Sequence, residues 1–384
     1  MKNFSYNIPT KIHFGIDQLH KLAALKESGT NVLLVYGGGS IKRSGLYDDV
    51  LRILTEQGLQ VTELPGVDPN PRIQSVRKGV ELCHSNHIDM VLAVGGGSSI
   101  DCAKVIAAGA CYDGDAWDLV LDRSKITKAL PVYSVLTLAA TGSEMDAFAV
   151  ISDLDKNEKW GTGSDLVKPV MSVMDPRYTF TVSAKQTSAG TADMMSHTLE
   201  NYFTNVKGAF VQARMCEALL KTLIHYGPIA LQEPDNYEAR ANLMWVASLA
   251  INGMMSYGAD VTWCVHPMEH ELSAFYDITH GDGLAILTPF WMEHALNADT
   301  AWKFGEYGRN VFGLTGEDDM EIGRQAIACT RAFFKQMNLP ATLSDVGIDS
   351  THFDIMAQKA ATRCAGSFVP LSKEDIKAIY TAAL

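Results

Sequence analysis

The sequence predicts an α/β domain built on a parallel sheet, residues 1–183, followed by an all-α domain, residues 184–384. Three observations predict it. Short β-branched apolar runs alternate with amphipathic stretches through the first half, the pattern of a parallel sheet covered on both faces. Beyond Ser183 the repeat turns helical and rich in Ala, Met and Leu. The chain is also long enough, at 384 residues, for two separate cores.

The elements follow in order. Phe4–Phe14 reads as an antiparallel strand. Asn31–Tyr36 (NVLLVY) is a buried strand ending in Gly37-Gly38-Gly39, and Asp48–Gln57 and Ile73–His84 are helical stretches. Met90–Val94 (MVLAV) is a second buried strand, ending in Gly95-Gly96-Gly97, and Leu130–Leu138 (LPVYSVLTL) is a third. The character changes after Asp175-Pro176. Helices are then expected within Ala192–Phe203, Ala209–Tyr226, Tyr237–Met254, Gly323–Met337 and Lys373–Ala383. No long linker marks the join, so the two domains are expected to face each other across a ligand-binding cleft.

Composition narrows the function classes. A net charge of −12, with no basic face in bulk, argues against nucleic acid as a partner and leaves room for a local basic patch at a phosphorylated cofactor. The seven cysteines are odd in number and form no CxxC pair, so reduced, buried thiols are expected. No secretory-type segment opens the sequence, and no run reaches the roughly 18 apolar residues that span a bilayer. A cytoplasmic protein without a membrane partner is therefore expected.

Three loops carry phosphate-binding chemistry. Gly95-Gly96-Gly97-Ser98-Ser99-Ile100-Asp101 follows a strand and opens a helix. Glycines let backbone N–H groups approach a phosphate, and a helix N-terminus adds free donors and a favourable dipole. The same residues also suit a tight strand-to-helix turn. Gly37-Gly38-Gly39-Ser40 follows the earlier strand. In nicotinamide enzymes an acid after such a strand holds the adenosine ribose and repels a 2′-phosphate. Residues 37–47 contain no acid and instead offer Ser40, Lys42 and Arg43, a composition that favours NADP(H). Lys42 and Arg43 are equally compatible with a solvated surface. Thr137 and Thr141 lie in a third loop of small hydroxyl residues, with the strand before it.

The helical half carries metal-ligand spacing. Asp193 and His197 stand four apart in TADMMSHTLENYF, which puts them a turn apart on one helix face. His266 and His270 repeat that spacing in HPMEHEL, and His280 follows in ITHGDG. One carboxylate with three imidazoles suits Zn²⁺ or Fe²⁺. Pro267 must lie in the first turn of its helix or kink it. Residues 241–302 contain no Lys or Arg but several aromatics, which fits a small, fairly apolar substrate better than a polyanion.

Taken together, FSYNIPTKIHFG, VYGGGSIKRSG, AVGGGSSIDCAK, LAATGSEMD, TADMMSHTLENYF and HPMEHELSAFYDITHGDGLAI resemble the iron-containing (group III) alcohol dehydrogenases. Within them, the likeness is to the NADPH-dependent butanol dehydrogenase and aldehyde reductase branch. The resemblance implies a Rossmann-like domain and a helical domain, the dehydroquinate synthase-like architecture, as a homodimer. It implies Asp193, His197, His266 and His280 as metal ligands and His270 as a proton carrier near substrate. Gly95, Gly96, Gly97 and Ser98 match the family's pyrophosphate loop, and Thr137 and Thr141 its cofactor contacts; the glycine loops themselves add Gly37, Gly38, Gly39, Ser40, Ser99 and Asp101 as candidate cofactor residues. Lys159, in NEKWG, matches a lysine at the nicotinamide ribose. Gly38 stands where NAD-preferring relatives carry Asp, and Pro267 where relatives often carry a small residue.

The expected reaction is reduction of a small aldehyde such as butyraldehyde to a primary alcohol. Hydride comes from NADP(H), and a divalent metal, Fe²⁺ or Zn²⁺, acts as Lewis acid. An NAD-dependent polyol (glycerol-type) dehydrogenase is the nearer alternative. A dehydroquinate-synthase-like lyase would need basic groups that residues 241–302 do not supply.

Overall fold

Strands that are apolar at every position can only be buried on both faces, and the computed structural model, which describes residues 1–384, places them so. The sheet strands are β1 (Lys11–Phe14), β2 (Asn31–Tyr36), β3 (Gln60–Leu64), β4 (Met90–Gly95), β5 (Val132–Leu136) and β8 (Met171–Met174). They form one parallel sheet in the order β1-β8-β5-β4-β2-β3. Leu33 pairs with Val91 and Val94 with Val135, all fully buried. Helices α1 (Ser40–Arg43), α2 (Leu46–Glu56), α3 (Ile73–Ser85), α4 (Gly97–Gly109) and α5 (Ala116–Leu121) make the crossovers. α2 buries Leu46, Val50, Ile53 and Leu54, spaced to fill one helical stripe. A separate antiparallel hairpin joins β6 (Phe148–Asp153) to β7 (Glu158–Gly163), with Asn157 at φ 49° in its turn.

The topology places a crevice. From β2 the chain moves outward to β3, then returns to β4 on the other side of β2. Strand order reverses there, and in open α/β sheets ligands bind beyond the carboxyl ends of strands at such a point. Gly37–Gly39 and Gly95–Gly97 occupy those two ends.

The opening strand differs from the expectation. Only Lys11–Phe14 is a strand, and it pairs parallel to β8, not antiparallel, with Lys11 opposite Met171. Met1–Tyr6 instead group with the helical residues: Lys2 N donates to Gly258 O (2.8 Å), and Phe4 stacks on Tyr257.

The helical unit comprises Ser183–Leu384 with Met1–Tyr6, and Asn7–Val182 form the α/β unit. Its helices are α6 (Ala184–Tyr202), α7 (Phe210–Gln232), α8 (Tyr237–Ile251), α9 (Val265–Tyr276), α10 (His280–Ala295), α11 (Ala301–Phe312), α12 (Asp319–Gln336), α13 (Phe353–Cys364) and α14 (Lys373–Ala382). Ser183 caps α6 by accepting from Gln186 N. From Thr187 to Tyr202 every residue of α6 is buried, so this is the central helix of its unit. Pro267 lies in the first turn of α9, where its missing N–H costs nothing. All seven cysteines are free thiols, and five are buried. No helix is long and apolar enough to cross a membrane.

Candidate active site

Helical spacing puts Asp193, His197 and Glu200 on one face of α6, at i, i+4 and i+7. α9 presents His266, Glu269 and His270, and α10 begins at His280. These three helices bring four side chains to one point. Asp193 Oδ1 lies 3.3 Å from His197 Nε2, 3.6 Å from His266 Nε2 and 3.7 Å from His280 Nε2. Asp193, His197 and His266 are buried, and His280 is about a quarter exposed, at 23%. The His197 and His266 rings stack at 4.7 Å, and Trp263 lies against both, 4.6 Å from His266.

The electrostatics show how unusual this packing is for imidazoles alone. Burial pushes His197 down to about 3, and Asp193 opposes this without overcoming it. Burial would also lower His266, but Asp193 and Glu200 outweigh it and raise this imidazole to about 9. Burial would raise Asp193, yet its three histidines hold it well below the usual carboxylate range. Asp193 Oδ1 and His266 Nε2, which face each other, are buried with no hydrogen-bond partner. Orphaned buried polar atoms cost about 1–3 kcal/mol each, so this facing pair calls for a ligand. The donors form an N₃O set of borderline hardness, which fits a divalent iron or zinc ion. Ligand atoms of Asp193, His266 and His280 all lie within 4.8 Å of one another, close enough to share one ion.

Glu269, His270 and His280 form a second such group. Glu269, however, is fully buried and already accepts hydrogen bonds from His280 Nδ1 and Ser273 Oγ, so it supports His280 from behind. His270 stands a turn beyond His266, its ring 5.6 Å from that of His280.

The three phosphate-type loops converge within the α/β unit. Thr137 N donates to Gly95 O (3.0 Å), and a Cβ at Gly37 would stand 3.9 Å from Ser99 Oγ. A Cβ at Gly97 would stand 2.9 Å from Thr141 Cβ, and one at Gly96 3.2 Å from Leu138 Cβ. Gly97 and Ser98 open α4, with free N–H groups at its start. Ser99 and Asp101 turn inward. Ser99 Oγ packs under Gly95, and both Asp101 carboxylate oxygens are taken, by Ser143 Oγ (2.5 Å) and Val150 N (2.9 Å). Lys159 is buried on β7, and Ser40 and Gly38 are exposed beside α1.

Sequence reasoning missed several groups. Glu200 and Glu269 were visible only as carboxylates three residues beyond His197 and His266. Lys104 is fully buried and donates to Asp146 Oδ1 (2.6 Å) and Phe148 O (2.8 Å). Lys42 points to Glu63 on β3 (3.9 Å) and over the Tyr47 ring, and Glu63 also accepts from Tyr36 and Tyr47.

Residues 9–176 match the family model "Iron-containing alcohol dehydrogenase", and residues 187–384 match "Fe-containing alcohol dehydrogenase family, C-terminal". The chain belongs to the iron-containing alcohol dehydrogenase family. This dehydrogenase is 55% identical to NADH-dependent butanol dehydrogenase A of Clostridium acetobutylicum, over 99% of each chain. It is 40% identical to the NADPH-dependent aldehyde reductase YqhD of Escherichia coli, over 94% of this chain and 93% of that one. Its fold superposes on the crystal structure of NADH-dependent butanol dehydrogenase A of Thermotoga maritima with a TM-score of 0.95. That match covers 100% of this chain and 99% of the other, at 37% identity. The Rossmann-like domain, the helical domain and the dehydroquinate synthase-like architecture are thus those of the family.

Proposed function

We propose that the enzyme reduces small, largely apolar aldehydes, butyraldehyde among them, to primary alcohols, and that it does so with NADPH. The observation that carries this reading is the convergence of Asp193, His197, His266 and His280 on one buried point. When bound there, a divalent metal supplies Lewis acidity toward a carbonyl oxygen, and the nicotinamide supplies hydride.

The chain's own residues do the rest. Asp193 and the three histidines would hold the ion. Gly95–Gly97 and the start of α4 would hold the pyrophosphate, with Thr137 and Thr141 beside them. Trp263, against His197 and His266, keeps the site apolar and limits water. The His270 imidazole, a turn from His266, would pass a proton to the product oxygen. The NADPH assignment rests on Gly38: it is exposed, it has open space around its Cβ direction, and residues 37–47 hold no acid to repel a 2′-phosphate.

One observation favours a second reading, use of NADH: the Clostridium relative at 55% identity carries that name. The test follows NADPH and NADH oxidation with butyraldehyde before chelation, after chelation, and after return of Fe²⁺ or Zn²⁺. The expected result is metal-restored oxidation of NADPH at the higher kcat/KM. Faster NADH turnover would replace the cofactor assignment and leave the reaction standing. No turnover of any aldehyde by metal-loaded enzyme would overturn the reaction.

A further inference from the structure

Glu200 belongs to none of the ligand positions, yet it accepts four hydrogen bonds at the start of the helix that carries His266. It lies on α6, three residues past His197 and seven past Asp193, with its side chain buried. Its carboxylate crosses to the start of α9. There Oε2 accepts from Cys264 N (2.5 Å) and Val265 N (3.2 Å). Oε1 accepts from His266 N (2.9 Å) and from His266 Nδ1 (2.7 Å). Four donors on one buried carboxylate leave it only the acceptor role.

We propose that Glu200 is a positioning residue that locks the His266 imidazole, in its Nδ1–H tautomer, onto the point held by Asp193 and His197. The proposal rests on the metal-site reading above. Two physical arguments carry it. First, Cys264, Val265 and His266 open α9, whose first N–H groups have no partner within the helix. A carboxylate there satisfies them and complements the positive end of the helix dipole. The cap comes from another helix, so it fixes α9 against α6 at the turn that carries His266. One rigid helix thereby supplies Asp193, His197 and the clamp on a third donor.

Second, the carboxylate selects a tautomer. A neutral imidazole has one N–H and one lone pair. With Nδ1–H given to Glu200, the lone pair falls on Nε2, which lies 3.6 Å from Asp193 Oδ1 and has no hydrogen-bond partner of its own. A carboxylate behind a metal-ligating histidine also raises its basicity, and losing such a partner typically weakens metal binding about 10–100-fold. Glu200→Gln keeps the volume but offers one acceptor oxygen and an NH₂. If the NH₂ faces His266, it favours the opposite tautomer and puts a proton on Nε2. If it faces Cys264 and Val265, it leaves the α9 cap broken.

The test is a double-mutant cycle on Zn²⁺ affinity, read by competition with a chromophoric chelator, using the wild type, E200Q, H266A and the double variant. The expected result is about a 10–100-fold loss of affinity in E200Q, with little further loss when E200Q is added to H266A. Equal losses in both backgrounds, or none, would overturn the clamp. Should E200Q not fold, ¹⁵N-histidine NMR of the zinc-loaded wild type decides, with H266A identifying the resonance. A protonated Nδ1 on His266 is expected, and a protonated Nε2 would overturn the proposal. Failure of the wild type to bind Zn²⁺ or Fe²⁺ at all would instead reject the metal site itself, and the clamp with it.

Discussion

Gly281 lies hard against the backbone of Ala189: a Cβ at Gly281 would stand 2.6 Å from the Ala189 carbonyl carbon and 2.7 Å from its Cα. Ala189 is on α6, one turn before Asp193, and Gly281 directly follows His280 at the start of α10. The absence of a side chain is therefore what lets α10 approach α6 closely enough for His280 to reach Asp193. Gly281→Ala should force the helices apart, because backbone cannot rotate out of the way. Overpacking of this kind costs about 1–3 kcal/mol. The expected outcome is a lower melting temperature together with weaker metal retention. Unchanged metal content in a destabilised G281A protein would detach His280 from the site.

A comparable contact sits between Gly97 and Thr141, where an added Cβ would press on the threonine side chain. Thr141 is β-branched and short, so it has few ways to yield. Gly97→Ala should separate the first turn of α4 from the Thr137–Thr141 loop. Cofactor affinity, measured by fluorescence titration, should fall about tenfold, or about 1.4 kcal/mol. Metal content should not move, since Gly97 belongs to the α/β unit.

How much of this was legible in the sequence depends on how local each feature is. Asp193–His197 and His266–His270 declare themselves because i, i+4 spacing is a property of any helix. The strands at 31–36 and 90–95 were legible because burial on both faces leaves an unbroken apolar run. β8 and the β6–β7 hairpin were not: β8 has only four residues, and β7 (EKWGTG) carries charges and glycines that blur a period of two. The opening strand was misread because a parallel partner 160 residues away leaves no mark on Lys11–Phe14 itself. Asp101 illustrates the same limit within the site. In the sequence it completes a phosphate-type loop, yet its oxygens are claimed by Ser143 and Val150, 42 and 49 residues on. Likewise Glu200 looks like one more helix carboxylate until α9 is laid against it.

Cofactor choice can be probed at Gly38. The residue is exposed, has no positive φ, and has no atom within 4 Å of its Cβ direction, so Gly38→Asp should fold normally. A carboxylate there would repel a 2′-phosphate and accept from ribose hydroxyls. The ratio of kcat/KM for NADPH to that for NADH should fall at least about tenfold, or about 1.4 kcal/mol. An unchanged ratio would mean that the adenosine ribose does not lie beside Gly38.

His270 can be separated from the metal ligands by its kinetics. Removing a general acid usually costs about 10²–10⁴ in rate. His270→Ala should therefore lower kcat by about a hundredfold or more, with metal content and cofactor affinity unchanged. Loss of the metal in H270A would make His270 a ligand and remove the proton-carrier assignment.

The buried Asp101 sets a pH dependence of stability. Burial raises its carboxyl to about 6 from the ordinary 3.8, with Asp146 adding to the rise and Lys104 and Ser143 opposing it. Because the folded chain holds this proton more tightly than the unfolded chain, the group stabilises the fold fully below 3.8. That contribution is lost as the pH climbs through about 6. The difference, 6 − 3.8, corresponds to about 3 kcal/mol at 1.36 kcal/mol per unit. Asp101→Asn cannot titrate, though its amide still accepts one of the two hydrogen bonds. Wild-type stability minus that of D101N, from urea unfolding, should therefore decline by up to about 3 kcal/mol between pH 4 and 7. A difference that is flat with pH would mean that Lys104 and the Val150 N–H stabilise the carboxylate enough to cancel its burial. A rising difference would mean that they outweigh it, and the Asp101–Lys104–Asp146 cluster would then bear its charges at every pH in this range.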